Sequence, residues 1–378
     1  MKSLVAVLLR AAALLSVSFP HGAQAACGAD EIAWSQWCAE PMRLAMRNTG
    51  NAGLESLLVR PSESARYPLA LINHGVPRSG DRHEMTPMQS LPMAIEFARR
   101  GYAAAIIMRR GYGRSGGAFA EDRGACANPT YIDAARAGAA DLRSAITELV
   151  KRPDIDGTRI ISVGRSGGGF ATVALTADPP RGLVAGISFA GGRGSFADGQ
   201  ICREDRLTDA FRTLGSRSRV PMLWVYAEND AFFGPESAKR FKDAFVAGGG
   251  IVDFVMTAPF GRDGHALFSS AGIPIWAPIV DQFLERRGLF INGALLPAPE
   301  VPSVAPPQQL SESGRKAFST YLRSPPHKAF AVSSDGRSGW RSGRRTVDDA
   351  KAGALRLCRQ HSKECQVVVV DDTPLATQ

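Results

Sequence analysis

The stretch Arg159-Ile-Ile-Ser-Val-Gly-Arg-Ser-Gly-Gly-Gly-Phe-Ala-Thr-Val-Ala-Leu-Thr-Ala-Asp178 sets an apolar, β-branched run against a run of small and apolar residues. Between them Gly164 to Gly168 matches G-x-S-x-G, the nucleophile elbow, in which a sharp strand-to-helix turn holds a strained serine at the edge of a sheet. The first run predicts a buried strand. The second predicts a helix whose first amide points at whatever Ser166 attacks. Glycines must flank the serine because a Cβ there would collide with the neighbouring strand or helix.

The same pentapeptide recurs at Gly113 to Gly117. The strand expected over Tyr102 to Met108 ends too early to feed it, and Ala118 to Cys126 has no helical period, so Ser115 reads as a loop residue. Gly111 to Gly116 also fits G-x-G-x-x-G. That fingerprint needs its last glycine to open a helix that meets a pyrophosphate, and none begins here, so nicotinamide or flavin binding is not expected.

Outward from the elbow, strand patterns at Leu69 to Asn73, Tyr102 to Met108, Leu183 to Phe189, Met222 to Ala227 and Ile251 to Met256 alternate with helical ones. The clearest helix is Tyr131 to Lys151, with Ile132, Ala135, Ala139, Leu142, Ile146 and Leu149 on one face. Others fit Met88 to Arg100, Pro235 to Ala247 and Pro274 to Arg287. Met42 to Arg47 and Leu54 to Arg60 flank a turn and read as an opening hairpin. The expectation is an α/β domain over 26–294, its mostly parallel sheet covered by helices. A Pro-rich linker follows over 295–325, then a small α+β unit over 326–378 built from strands Lys328 to Ser333 and Gln366 to Asp371 and a helix Thr346 to Gln360.

Met1 and Lys2 lead into an apolar run, Leu4 to Phe19, that ends in Ala23-Gln24-Ala25, so residues 1–25 read as a signal peptide. Arg10 breaks the run, and no later run reaches the roughly 18 apolar residues a transmembrane helix needs. Gln24 stands where a lipobox would carry an aliphatic residue, which argues against a lipid anchor on Cys27. The product would be periplasmic or extracellular. All six cysteines lie beyond the cut. Short separations suggest Cys27 with Cys38 and Cys358 with Cys365, leaving Cys126 with Cys202, although six cysteines allow about 15 connectivities. Zinc is the competing use, but no C-x-x-C or paired H-x-x-x-H occurs. The net charge of +9 falls to +7 once Lys2 and Arg10 leave, and it is spread over Arg-rich loops rather than gathered into a nucleic-acid stripe.

A serine hydroxyl is a poor nucleophile near neutral pH and needs a base, itself oriented by a carboxylate. Of six histidines, His21 leaves with the signal, His83 lies in a polar loop, and His327 and His361 follow the linker. His265 comes after the last strand of the main domain and is the expected base. Asp230 closes the strand Met222 to Ala227 and its turn, between nucleophile and base in chain order, and is the expected acid. Glu228 is its rival two residues earlier. Asp253 runs along a strand, and Asp263 is too near His265 in sequence to orient its ring. The oxyanion donors should be the amides of Gly167 and of the loop His74-Gly-Val-Pro77, where Val76 is preferred because Pro77 has no N–H. His74 itself reads as a buried brace, and Trp224 as core.

These pieces, in this order, resemble the α/β-hydrolase superfamily, within it the dienelactone-hydrolase-like and prolyl-oligopeptidase-like serine hydrolases. The matching motifs are His74 to Pro77, Arg110 to Gly116, Gly164 to Gly168, Glu228-Asn-Asp230 and Asp263-Gly-His265, over about Met42 to Gly288. The resemblance implies a central eight-stranded, mainly parallel sheet and a triad carried by Ser166, Asp230 and His265. Dienelactone hydrolases proper use a cysteine nucleophile, so the serine here favours general ester cleavage over lactone chemistry. The tail from Pro326 to Asp372 looks like a small domain found at the ends of exported bacterial proteins. The expected reaction is ester hydrolysis through an acyl-enzyme, needing neither metal nor cofactor. Its substrate would be a small ester or, in the runner-up reading, a short peptide cleaved in dipeptidyl fashion. A non-catalytic cell-envelope binding protein, its partner docked on the C-terminal unit, is the alternative from another class. Loops Gly117 to Pro129 and Gly192 to Val220 should shape the pocket mouth.

Overall fold

The computed structural model describes residues 27, 31–34, 37–61, 65–289 and 295–375. The expected signal peptide, 1–25, lies outside the described residues. In chain order the elements are β1 (Ile32–Trp34), β2 (Trp37–Leu44), β3 (Leu54–Pro61), β4 (Tyr67–Asn73), α1 (Leu91–Arg99), β5 (Ala103–Ile107), α2 (Tyr131–Leu149), β6 (Ile155–Arg165), α3 (Gly167–Ala177) and β7 (Leu183–Phe189). They continue with β8 (Ser195–Ala197), β9 (Gln200–Ile201), α4 (Glu204–Gly215), β10 (Met222–Ala227), α5 (Pro235–Ala247), β11 (Val252–Thr257) and α6 (Ile273–Arg286). Last come α7 (Glu312–Leu322), β12 (Ala329–Ser333), β13 (Ser338–Arg341), α8 (Val347–Cys358), β14 (Cys365–Val370) and β15 (Thr373–Pro374).

The main sheet of the described residues runs β1-β2-β3-β5-β4-β6-β7-β10-β11. From β5 through β4, β6, β7 and β10 to β11 every pairing is parallel, while β2, β3 and the short edge strand β1 are antiparallel. This is the expected eight-stranded sheet with β1 added at one edge. Strands β4, β5, β6 and β10 read as nearly unbroken apolar runs because helices bury both faces. On one face α2, α3, α4 and α5 pack around Phe170, Phe211, Trp224 and Phe241. On the other, α1 and α6 bring Phe97, Trp276 and Phe283 against Ile72, Ile161 and Val225. Trp224 is fully buried against Phe211 and Phe245, a core residue as expected.

The segment Gly192 to Val220, expected as loop, contains α4. Its Leu207, Ala210, Phe211 and Leu214 recur at helical spacing and are buried, but charged residues between them mask the period. Glu312 to Leu322, inside the stretch read as linker, is likewise helix α7, capped by Ser311 accepting from the Gly314 amide at 3.2 Å. Phe318 and Tyr321 of α7 pack on Phe330 of β12, so the extended Pro-rich segment ends near Leu310. The remaining C-terminal elements form a four-stranded sheet, β13-β12-β14-β15, with α8 across one face. Arg345 fastens this unit to the main sheet, with its guanidinium on Glu55 at 3.1 and 3.2 Å and on the Met85 carbonyl at 2.6 Å.

Three disulfides form, Cys27–Cys38, Cys126–Cys202 and Cys358–Cys365. No helix among the described residues is long and apolar enough to cross a membrane. The loop after β4 is seated by buried polar groups. His74 Nδ1–H donates to the Gly75 carbonyl at 2.7 Å, and its Nε2 accepts from the Arg109 amide at 3.1 Å. The Arg109 guanidinium donates to the His74 carbonyl at 2.9 Å and pairs with Glu121, which Arg193 also holds at 2.8 Å. Burial first, then the Arg109 charge, drives the His74 pKa well below its ordinary value, so the ring stays neutral and acts as the expected brace.

The Cys126–Cys202 bond closes a loop with a sequence separation of 76 residues. Replacing both cysteines by serine should cost about 4 kcal/mol by loop entropy, lowering the thermal midpoint by roughly 10 °C in calorimetry; an unchanged midpoint would contradict it. For His74, the unfolded chain gains a proton below pH ~6.5 that the folded chain refuses, so stability is lost as pH falls. Wild type should lose about 1.4 kcal/mol per pH unit below that point through this group. Urea unfolding of His74→Gln at pH 7, 6 and 5 should show a shallower decline than wild type, and parallel declines would refute the assignment.

Candidate active site

Ser166 joins β6 to α3 with φ 55° and ψ −123°, a left-handed conformation costing an L-residue about 1–3 kcal/mol. Crowding enforces it. A Cβ on Gly164 would lie 2.2 Å from the Gly168 carbonyl oxygen, and one on Gly168 would lie 2.3 Å from that of His74. Strand and helix therefore pass backbone to backbone, and only one residue fits between them. Hydrogen bonds hold the turn: the Ser166 amide donates to Phe189 at 2.9 Å, and its carbonyl accepts from Phe170 at 2.9 Å and Gly192 at 3.2 Å.

Asp230 lies three residues beyond β10, its carboxylate buried. Its Oδ1 accepts the Phe232 and Phe233 amides at 2.7 and 2.9 Å, and His265 Nδ1 is 3.1 Å from both carboxylate oxygens. Nδ1–H thus donates to Asp230, leaving Nε2 as the basic nitrogen. Glu228, the rival acid, is exposed. Asp263 leaves the ring to Asp230 and secures the backbone, its Oδ1 accepting the His265 amide at 2.9 Å and the Ala231 amide at 3.0 Å. Phe232 stacks on the imidazole at 3.8 Å and Phe233 meets it edge-on at 5.7 Å.

Phe232 and Phe233 also line the cleft of about 320 Å³ that holds Ser166, so the rings that pack on the His265 imidazole form part of the serine's cleft. The Ser166 hydroxyl makes no hydrogen bond to the imidazole in this structure; such contacts are often loose until substrate binds. Val76 faces Gly167 closely, since a Cβ on Gly167 would lie 2.5 Å from Val76 Cγ2. Among the described residues neither amide donates to a protein acceptor. The Gly167 amide also opens α3, where the helix dipole favours negative charge.

The cleft's other walls come from the two expected mouth loops: Phe119 and Asp122 to Gly124 from one, Gly192 to Phe196 from the other, tied by Cys126–Cys202. Sequence reading missed Phe232 and Arg78. The Arg78 guanidinium lies 3.5 Å over the Phe232 ring and bonds Asp198 at 2.6 Å, so arginine, phenylalanine and histidine form one stack. An aromatic two residues after an acid carries no motif, which is why the pattern gave no sign of it. Ser115 is remote in role: its hydroxyl donates to the Met108 carbonyl at 2.6 Å and accepts the Glu55 amide at 2.9 Å, pinning a loop. No helix begins at Gly116, so Gly111 to Gly116 lacks the helix its fingerprint requires.

No protein-family model matches the chain, and neither does any curated protein sequence. Solved structures do. Esterase 2 of Thermogutta terrifontis phosphoramylated by tabun is 17% identical with a TM-score of 0.47, over 69% of this chain and 97% of that one. Its butyrate-bound form is 17% identical with a TM-score of 0.46, over 68% and 96%. The Pyrococcus furiosus esterase Pf2001 is 13% identical with a TM-score of 0.46, over 66% and 90%. With its strand order, its mainly parallel sheet and the strand–Ser166–helix elbow, this chain is an α/β-hydrolase in fold.

Proposed function

We propose that the chain is an exported serine hydrolase that cleaves carboxylic esters through an acyl-enzyme. The observation that carries this reading is the hydrogen-bonded Asp230–His265 pair, whose imidazole packs on Phe232 and Phe233, two walls of the cleft that holds the strained Ser166. Asp230 fixes the tautomer, and His265 Nε2 takes the hydroxyl proton as Ser166 Oγ bonds to the acyl carbon. The carbonyl electron pair moves onto oxygen, where the Val76 and Gly167 amides receive it; one such donor contributes about 3 kcal/mol to the transition state. The imidazolium then protonates the departing alkoxide. Water repeats the sequence on the acyl-serine, with Nε2 as base, releasing the acid and restoring the hydroxyl.

Aromatic walls and a cleft of about 320 Å³ suit a small substrate. Export is supported by the N-terminal pattern over 1–25 and by three disulfides. In the same reading 26–294 is the catalytic domain, followed by the Pro-rich segment and a small stapled domain to which α7 contributes.

The test pairs p-nitrophenyl butyrate with an aminoacyl-proline nitroanilide and adds a fluorophosphonate probe. Wild type should hydrolyse the ester, leave the anilide nearly untouched and take the label. Ser166→Ala should lose the label and at least about 10³-fold in kcat, and Asp230→Asn about 10³–10⁴-fold. Labelling of Ser166→Ala equal to wild type would remove Ser166 from the mechanism, and faster anilide cleavage would make the enzyme a peptidase.

A further inference from the structure

A second cleft, of about 400 Å³, lies between the catalytic unit and the C-terminal unit. Arg165, Gln89 and Ser270 face it from one side, and Thr320, Trp340 and Ser342 from the other. Arg165 is its one charged lining residue; no carboxylate lines it, and His74 at its base is neutral. Several other partly buried arginines have carboxylate partners: Arg109 and Arg193 pair with Glu121, Arg110 with Asp141, Arg152 with Glu40 and Asp154, and Arg345 with Glu55. Arg165 is half-buried, yet among the described residues its guanidinium has no hydrogen bond or ion pair. Burial lowers its pKa, and Asp263, too far for an ion pair, is the carboxylate that offsets the effect. A desolvated guanidinium without a partner is costly, and its planar donors match carboxylate and phosphate oxygens.

The position is equally specific. Arg165 is the residue before the nucleophile, and the point where a Gly75 Cβ would stand is 3.5 Å from Arg165 Nε and 3.2 Å from Ser166 Cβ. The loop His74 to Pro77 therefore separates the two clefts, with Ser166 and Val76 on one side and Arg165 on the other.

We propose that this inter-unit cleft is an anion-binding site in which Arg165 takes the carboxylate or phosphate of a hydroxyl-bearing ligand, and the C-terminal unit supplies the opposite wall. The hydroxyls of Ser270, Thr320 and Ser342 and the Gln89 amide meet the rest of the ligand, and Trp340 covers it. The site stands apart from the ester-cleaving step, so its failure and the failure of the esterase reading are separable.

The experiment titrates the full mature chain with sodium gluconate, inorganic phosphate and neutral sorbitol, following tryptophan fluorescence and heat. Saturable binding of gluconate or phosphate without sorbitol binding is expected, and the stronger of the two identifies the anion. Arg165→Gln should weaken it at least tenfold. Ser342→Asp, which sets a carboxylate opposite Arg165 without touching the catalytic unit, should do the same. Trp340→Phe should abolish the fluorescence change while the heat persists, and Ser166→Ala should bind as wild type. Absence of saturable binding by either anion, or equal binding by wild type and Ser342→Asp, overturns the proposal.

Discussion

Two backbones pass closer at the end of β6 than any side chain permits, and the rest of the site is arranged around that crossing. Gly164 and Gly168 let strand, helix and the β4 loop touch main chain to main chain, which forces the single intervening residue into a left-handed turn. Strain of this kind persists only where neighbours over-determine it. Here the neighbours are the parallel strands β4 and β7 on either side of β6 and the buried apolar faces of α3. The same crowding brings the Val76 loop against Gly167, so the strained Ser166 and the Val76 and Gly167 amides share one cause.

Asp230 and His265 are positioned by a different device. Both sit on loops, and each loop is made rigid by a carboxylate that collects backbone amides: Asp230 those of Phe232 and Phe233, Asp263 those of Ala231 and His265. Two turns from distant parts of the chain are thereby fastened to each other before any substrate arrives. The Arg78–Phe232–His265 stack covers one face of the imidazole, which is buried.

Much of this was legible from residue order. Buried parallel strands announce themselves as apolar runs, so β7 and β10 begin and end where the pattern says, and α5 does so by its helical period behind Pro235. The elbow could be told from its decoy because Ser115 lacks a helix on its C-terminal side. Asp230 could be preferred to Glu228 because two more residues take the carboxylate past the strand end into the turn. What stayed hidden depends on distant partners. Helix α4 looks like loop until Phe211 has Phe170, Trp224 and Phe241 to rest on, and α7 looks like linker until Phe330 lies beneath it. The pairing of Glu121 with two arginines, and the lack of any pairing at Arg165, are facts of three dimensions with no local signature.

The clasp between Arg345 and Glu55 joins residues 290 positions apart, the C-terminal unit to strand β3 of the main sheet. Glu55 also receives the Arg114 amide at 2.6 Å, from the loop that Ser115 pins. A later-made part of the polypeptide thus finishes a contact that β3 begins. Synthesis order alone therefore leaves that face open until the segment carrying Arg345 has been made, long after Glu55.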